Sequence, residues 1–476
     1  MSLFLSMGCN PADVIDDDDS NDSGSIQTEL ASDYEWSDSN AQTITFNGTS
    51  ISSSSSNVTI NGTIATITAA GNYIVSGTLT NGQLKVNASG AVVKIQLNRV
   101  VMTNTSTSPF YAEKAAKVIV FLPSGVLNTL SDASSYTSTT EPNACIFSNC
   151  YLSFTGDGTL NVNGKYADAI SSDDQIVIKS GVINVTAVDD GIRGKDYLLI
   201  HGGTISATSN SGHALKSDNT TSNYGYIKID GGVLTLASSS GKGAKAVNKY
   251  IQDAGDVTIT KSYEGIESIN ITLNGGNLNV TATNDGLNGT AGTVAGGTEQ
   301  NDGSNILING GTIAINCTNG DAIDCNGNAT MTGGTVIANG PMSGMEEAVD
   351  INGTFNMNGG IFVGAGSNSN MTKAMSTSSI QPNMYVTSSA VSSSTLINIR
   401  IGTTDVITFK PKYGGYKFLF SCPEMTKGAS YTIYTGGSYS TSTNVNGLYN
   451  GGIYTIGTSK KTGTLSSSSS VNSITM

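Results

Sequence analysis

Carboxylates recur through the middle of this chain at a fixed distance from an apolar residue. In "YADAIS", "DDGIRG", "YEGIES", "NDGLNG", "GDAIDC" and "EEAVDI" an acid stands two residues before an apolar one, at Asp168, Asp190, Glu264, Asp285, Asp321 and Glu347. His213 and the turn "GKGAK" interrupt the series. One residue after the apolar position runs a second series: Ser171, Arg193, Lys216, Lys245, Glu267, Asn288, Asp324 and Asp350. Asp173, Asp174, Asp196 and Asp218 form a third cluster. Oxygen donors repeated in this way suit a hard divalent cation. Calcium fits best, because it accepts about six to eight oxygens at irregular angles where magnesium demands an octahedron. The plainer alternative is a solvated acidic face. Arg193, Lys216 and Lys245 relieve the first half, but no basic residue of either series follows Lys245.

Such columns exist only if the chain returns to the same place at every turn, and a repeat supplies that return. The stretches "GDGTLNVNG", "KSGVINVTA", "HGGTISATS", "DGGVLTLAS", "DAGDVTITK", "NGGNLNVTA", "NGGTIAINC", "TGGTVIANG" and "NGGIFVGAG" share one frame, with glycines at 158, 181, 203, 232, 255, 276, 311, 334 and 360. Two residues after each glycine comes Leu160, Ile183, Ile205, Leu234, Val257, Leu278, Ile313, Val336 or Phe362, the period-2 pattern of a strand with one buried face. A second short strand precedes most of these glycines, as in "YLLIHGG" and "NILINGG". A unit of about 22 residues cannot bury a core alone, but stacked at about 4.8 Å per turn it makes a continuous one. The pattern predicts an all-β fold, a parallel β-helix. Like charges one turn apart then repel by roughly 3 kcal/mol at an effective dielectric near 20, which a bound cation would relieve. Four regions follow: 1–32, a lipoprotein signal remnant and acidic tether; 33–157, an N-terminal cap and first coils; 158–365, the regular β-helix with acidic columns; and 366–476, a β-rich C-terminal cap or small domain.

Composition narrows the partners. The 36 acidic and 23 basic residues leave a formal charge of −13, which repels nucleic acid and anionic membranes. The opening "MSLFLSMGC" looks like the end of a lipoprotein signal, with Cys9 as the lipid anchor and "DDDD" in a tether behind it. This places the protein outside the cell, on a bacterial surface as an outer-membrane lipoprotein, touching membrane only through the anchor and acting as a monomer. No apolar stretch is long enough to span a bilayer. Cys145 and Cys150 could bridge in an oxidising compartment, although buried free thiols suit these two, Cys317, Cys325 and Cys422 better. No CxxC supports zinc, and neither His201 nor His213 lies in a nucleophile motif.

The segments "EPNACIFS", "KYADAISSDDQIVI", "DDGIRGKDY", "ALKSDN", "YEGIES", "NDGLNG" and "GDAIDCNG" together resemble a bacterial family of polysaccharide-lyase-like parallel β-helix proteins, the carbohydrate-binding domain-containing proteins. The likeness runs from about residue 33 to about residue 437. It implies a right-handed β-helix similar to calcium-dependent pectate lyases, and a secreted or surface-anchored, non-catalytic binder of calcium and of cellulose or acidic pectic polysaccharide. It also implies acidic ligand positions at Asp168, Asp190, Asp196, Asp218, Glu264, Glu267, Asp285, Asp321 and Asp324. The family pattern is broken at His213 and "GKGAK", so no calcium ligand carries over to those two turns. On this reading Arg193, Lys195 and Lys216 pair with sugar acids or merely neutralise Asp189, Asp190 and Asp196, while Tyr197, Tyr224, Tyr226 and Tyr250 stack on sugar rings or pack. Two alternatives remain open. A pectate-type lyase would use Lys216 or Lys195 as its base, although the surrounding aspartates raise a lysine pKa. A surface adhesin or structural protein would need no defined glycan.

Overall fold

Alternation of inward apolar and outward polar residues dictates the strands. Thr159–Gly164 buries Leu160 and Val162 and turns Thr159, Asn161 and Asn163 outward. The computed structural model describes residues 29–138, 141–292, 300–369, 371, 373–440 and 443–476. In it the post-glycine strands pair in parallel, with Leu160, Ile183, Ile205, Leu234, Val257, Leu278, Ile313, Val336 and Phe362 in register. The strands before each glycine stack likewise, from Leu152 through Ile176, Leu198, Ile227, Tyr250 and Ile271. A third set carries the acidic segments, with Ile146, Ile170, Ile192, Leu215, Ala244, Ile266, Leu287, Ile323 and Val349 aligned. The chain is therefore a three-faced parallel β-helix around one continuous apolar core. Among the described residues its helical content is a single 3-10 turn at Ala31–Tyr34, and no helix is long and apolar enough to cross a membrane.

The three faces are here called the threonine face (strands after the glycines), the tyrosine face (strands before them) and the acidic face. Coiling begins early, since Gln42–Gly48 already pairs in parallel with Gly71–Leu79. Antiparallel pairs close both ends. Val58–Asn61 with Ile64–Ile67 starts the acidic sheet, and Gly415–Ser421 caps Ile361–Gly366 at the other end. Beyond that cap, residues 383–476 add further strands, including a six-stranded sheet, over a second core.

The tether boundary placed at residue 32 falls inside a packed segment, because Glu29 through Trp36 lies as a strap along the outside of the helix, with Asp33 buried against Lys117. Cys145 and Cys150 are buried free thiols, with no bridge between them. The proposed anchor, Cys9, lies outside the described residues.

From Gly181 onward the recurring glycines turn the corner into the threonine face in a left-handed backbone conformation, as at Gly255 and Gly276 with φ of 86° and 74°. Each also abuts the preceding coil: a Cβ on Gly276 would stand 2.3 Å from the Gly255 carbonyl oxygen. Gly276→Ala should therefore cost about 2 kcal/mol or more in urea denaturation. Gly428→Ala is the control, since Gly428 has a φ of 79° with nothing within 4 Å and should lose only the backbone part. Equal losses in the two variants would mean the coil contact contributes nothing.

Candidate functional site

Register decides which side chains meet on the acidic face. One outward column runs Ser171, Arg193, Lys216, Lys245, Glu267, Asn288, Asp324, Asp350. The same register, two residues before each inward apolar residue, aligns Asp168, Asp190, His213, Lys242, Glu264, Asp285, Asp321 and Glu347. Five side chains of this inner column are built into the fold as acceptors of the next coil's N–H. Asp168 Oδ1 accepts the N–H of Asp190 at 3.0 Å, Asp190 Oδ1 that of His213 at 2.8 Å, and Asp285 Oδ1 that of Asp321 at 2.9 Å. Asp321 Oδ1 accepts the N–H of Glu347. His213 keeps the same role with a ring nitrogen, its Nδ1 accepting the N–H of Lys242 at 3.0 Å. That bond requires an unprotonated Nδ1, and burial, followed by the nearby lysines, holds the imidazole pKa well below its ordinary value against the opposing pull of Asp190.

Basic side chains neutralise part of the first half, while burial and then Asp190 hold Asp168 and Asp189 above the usual carboxylate range. Lys216 Nζ lies 2.8 Å from Asp190 and 3.6 Å from Asp218, while Arg193 reaches Asp218 at 3.0 Å and Asp173 at 3.4 Å. Lys242 and Lys245 converge on Glu267 at 3.0 and 2.8 Å, and Lys242 also lies 3.7 Å from Glu264. The acids that meet Arg193 and Lys216 are thus Asp190, Asp218 and Asp173, where the sequence suggested Asp189, Asp190 and Asp196. Asp196 instead accepts a hydrogen bond from Asn219 Nδ2 at 2.6 Å, and Asp174 accepts the N–H of Gln175 at 2.9 Å. Lys195 sits on the turn, bonded through its backbone to Ser172 and Asp218. Asp168, Asp189 and Asp190 bring carboxylate oxygens within 4.8 Å of one another, which makes Asp189 a potential ligand that the column pattern missed.

The second half lacks a cation in its outer column after Lys245. Burial, then neighbouring carboxylates, pushes Asp324 up to about 8, and burial above all lifts Asp285 to about 6 and drives Asp321 well up. Asn288 donates to Glu264 Oε2 at 3.2 Å, while its own Oδ1 is buried with no hydrogen-bond partner in the rung next to Asp324. Cys317, close to Asp285 and Asp321, is held as a neutral thiol by burial, so the donors offered here are oxygens. An oxygen-only set with an orphaned amide oxygen fits a hard cation and suits a thiophilic one poorly.

The tyrosines lie elsewhere. Tyr197 is 6% exposed and stacks on Tyr226 on the tyrosine face, with centroids 4.8 Å apart. Tyr250 points into the core at 0% exposure, and half-buried Tyr224 uses its carbonyl to accept from Asn248. Tyr197 and Tyr250 therefore pack, the second of the two readings the sequence left open, and offer no open ring to a sugar. The exposed aromatic beside the columns is Tyr263, 47% exposed, with Lys242 Nζ 5.7 Å from its ring centroid. Its only sequence signal is its place immediately before Glu264 in "YEGIES".

Residues 61–344, more than half of the chain, match the family model described as carbohydrate-binding domain-containing protein. The chain belongs to this family. A carbohydrate-binding domain-containing protein of Acetivibrio thermocellus is 35% identical over 126 residues, which are 25% of this chain and 44% of that relative's length. The solved polysaccharide lyase-like protein from C. thermocellum, a gadolinium derivative, is 27% identical over 50% of this chain and 92% of its own, with a TM-score of 0.45.

The raised carboxylates set a pH dependence for this family member when chelator is present. Their folded pKa values exceed the ordinary carboxylate range, so the folded state holds extra protons; the stability this confers is complete below about pH 4 and is lost as pH rises toward about 8. Urea midpoints in chelator should fall between pH 5 and pH 8, and Asp324→Asn should flatten that slope. A midpoint independent of pH would contradict the burial assigned to these acids.

Proposed function

We propose that this protein is a calcium-dependent carbohydrate-binding protein of the cell surface that holds acidic polysaccharide without cleaving it. The observation that carries the reading is the set of buried oxygen donors in the second half of the acidic face, where the outer column from Glu267 to Asp350 holds no cation; Asp168, Asp189 and Asp190 offer a further oxygen cluster in the first half. Asp285, Asp321 and Asp324, with Asn288 and Glu264 beside them, are the residues that would hold calcium. Bound there, the ion would supply positive charge to the face, to which a uronate carboxylate can add its own oxygens. Lys216, Lys245 and Tyr263 border the same face and can take part in holding a sugar chain.

The absence of cleavage is supported by Lys216. Its contacts with Asp190 and Asp218 raise its pKa despite burial, which keeps it protonated and unsuited to removing a proton from a sugar carbon. Surface location rests on the Gly8-Cys9 pair in the opening sequence. A monomer is favoured by the further strands of residues 383–476, which pack a second core against the C-terminal end of the stack.

Calcium at a hundredfold excess over its Kd should stabilise the fold by about 2.7 kcal/mol, read as a rise in Tm that chelator reverses. Asp321→Asn keeps the oxygen that accepts the Glu347 N–H but should lose most of this gain. Polygalacturonate should co-sediment with the protein in calcium and be released by chelator. A Tm indifferent to calcium would overturn the metal reading, and a steady rise in unsaturated sugar product would replace binding by lyase chemistry.

A further inference from the structure

The tyrosine face carries something that its role in the core does not explain. Outward side chains of four successive coils, Tyr151, Val177, Tyr197, Leu199 and Tyr226, form a separate apolar cluster on the outside of the helix. The column is aromatic only locally: after Tyr197 and Tyr226 it continues as Lys249, Asn270, Asn305 and Asn328. Basic groups border the stripe at Lys94, Lys117, Lys179 and His201, in a chain whose net charge is −13.

The strap Glu29–Trp36 lies along this stripe, and its chemistry is complementary group by group. Asp33 Oδ2 meets Lys117 Nζ at 2.7 Å, with both side chains about 95% buried, at 4% and 5% exposure. Glu29 meets His201 Nε2 at 2.9 Å and Lys179 at 3.6 Å; Asp230 holds the other ring nitrogen of His201 at 2.8 Å. Between these carboxylates the Tyr34 hydroxyl hydrogen-bonds the Tyr151 hydroxyl at 3.2 Å, and Lys179 Nζ stands 5.3 Å from the Tyr34 ring centroid. Lys94 donates to the carbonyls of Ser32 and Glu35 at 2.6 and 2.7 Å.

Two carboxylates, a ring hydroxyl and carbonyl oxygens displayed along one short segment are the kinds of polar group that a short chain of uronic acids presents. We propose that the stripe is a second carbohydrate site, for an acidic oligosaccharide, and that the strap fills it as a tethered stand-in for that ligand. This rests on the carbohydrate-binding reading above but needs no calcium, because the cations are side chains. Aromatic rings give a sugar an apolar floor and the flanking cations bind its carboxylates. Because the strap is part of the chain, it competes at a high effective concentration, so the apparent affinity of the intact protein is its intrinsic affinity reduced by the fraction of molecules with the strap released.

The test uses the full chain in chelator, which silences the acidic face. Calorimetry with hexagalacturonate compares the unaltered protein with Glu29→Gln/Asp33→Asn and with the same variant carrying Tyr34→Ala, each checked for an intact melting transition and, by hydrogen exchange at residues 32–36, for release of the strap. The released variant should bind at least tenfold more tightly than the unaltered protein, and adding Lys179→Gln should remove the gain. A folded, released variant that binds no more tightly overturns the proposal, as does an equal gain for a neutral cello-oligosaccharide. Calcium-dependent sedimentation of the unaltered protein with polygalacturonate, run in parallel, separates that failure from a failure of the acidic-face reading.

Discussion

The parallel stack leaves outward side chains no lateral freedom. Because Ile170, Ile192, Leu215, Ala244, Ile266 and Leu287 must lie over one another to close the core, the residues one position later are forced into a column about 4.8 Å apart. Any charge written there faces its neighbours above and below, and burial weakens the water that would otherwise screen them. The chain answers this pressure by three routes: lysine and arginine from adjacent coils, hydrogen bonds from the next coil's backbone, and a raised pKa for buried acids that no cation meets, such as Asp321 and Asp324. The third route is the costly one, and it is where a cation from solution gains most.

Much of this arrangement is legible in the sequence, because period-2 alternation and the glycine frame specify both strand direction and which residues share a column. The alignment of Arg193, Lys216, Lys245, Glu267, Asn288, Asp324 and Asp350 needs nothing beyond counting from the apolar position. Contacts that depend on side-chain reach are not legible in this way. Lys242 occupies an inner-column position but extends to Glu267 of the outer one, and Asp218 is drawn to Arg193 from a neighbouring turn. The tyrosines escaped for a different reason. Tyr197 and Tyr226 do point away from the core, as a sugar-stacking role requires, but a segment distant in sequence covers them, and no local pattern announces a strap.

The strap also changes how the ends of the molecule relate to its middle. It joins Lys94 and Lys117 near the first coils to His201 several coils further on, so residues that the solenoid connects only through successive neighbours are also tied directly. In a stack where each coil otherwise contacts those beside it, such a tie makes the early coils rise or fall together. The antiparallel cap at the far end has a comparable effect, drawing Ile361–Gly366 and residues 383–476 into one second core.

The inner column separates two properties that usually travel together. The backbone N–H of each coil needs an acceptor, and Asp168, Asp190 and Asp285 supply an oxygen, yet His213 satisfies the N–H of Lys242 equally well with a neutral ring nitrogen. Lys242 itself then places a positive charge in the same column without breaking the stack. Acceptor geometry maintains the fold while formal charge is free to change from rung to rung. The axis of the molecule can thus be rewritten in charge, coil by coil, as a linear code that a long polymer lying along it would meet one sugar at a time, and relatives could diverge in what they hold without diverging in how they fold.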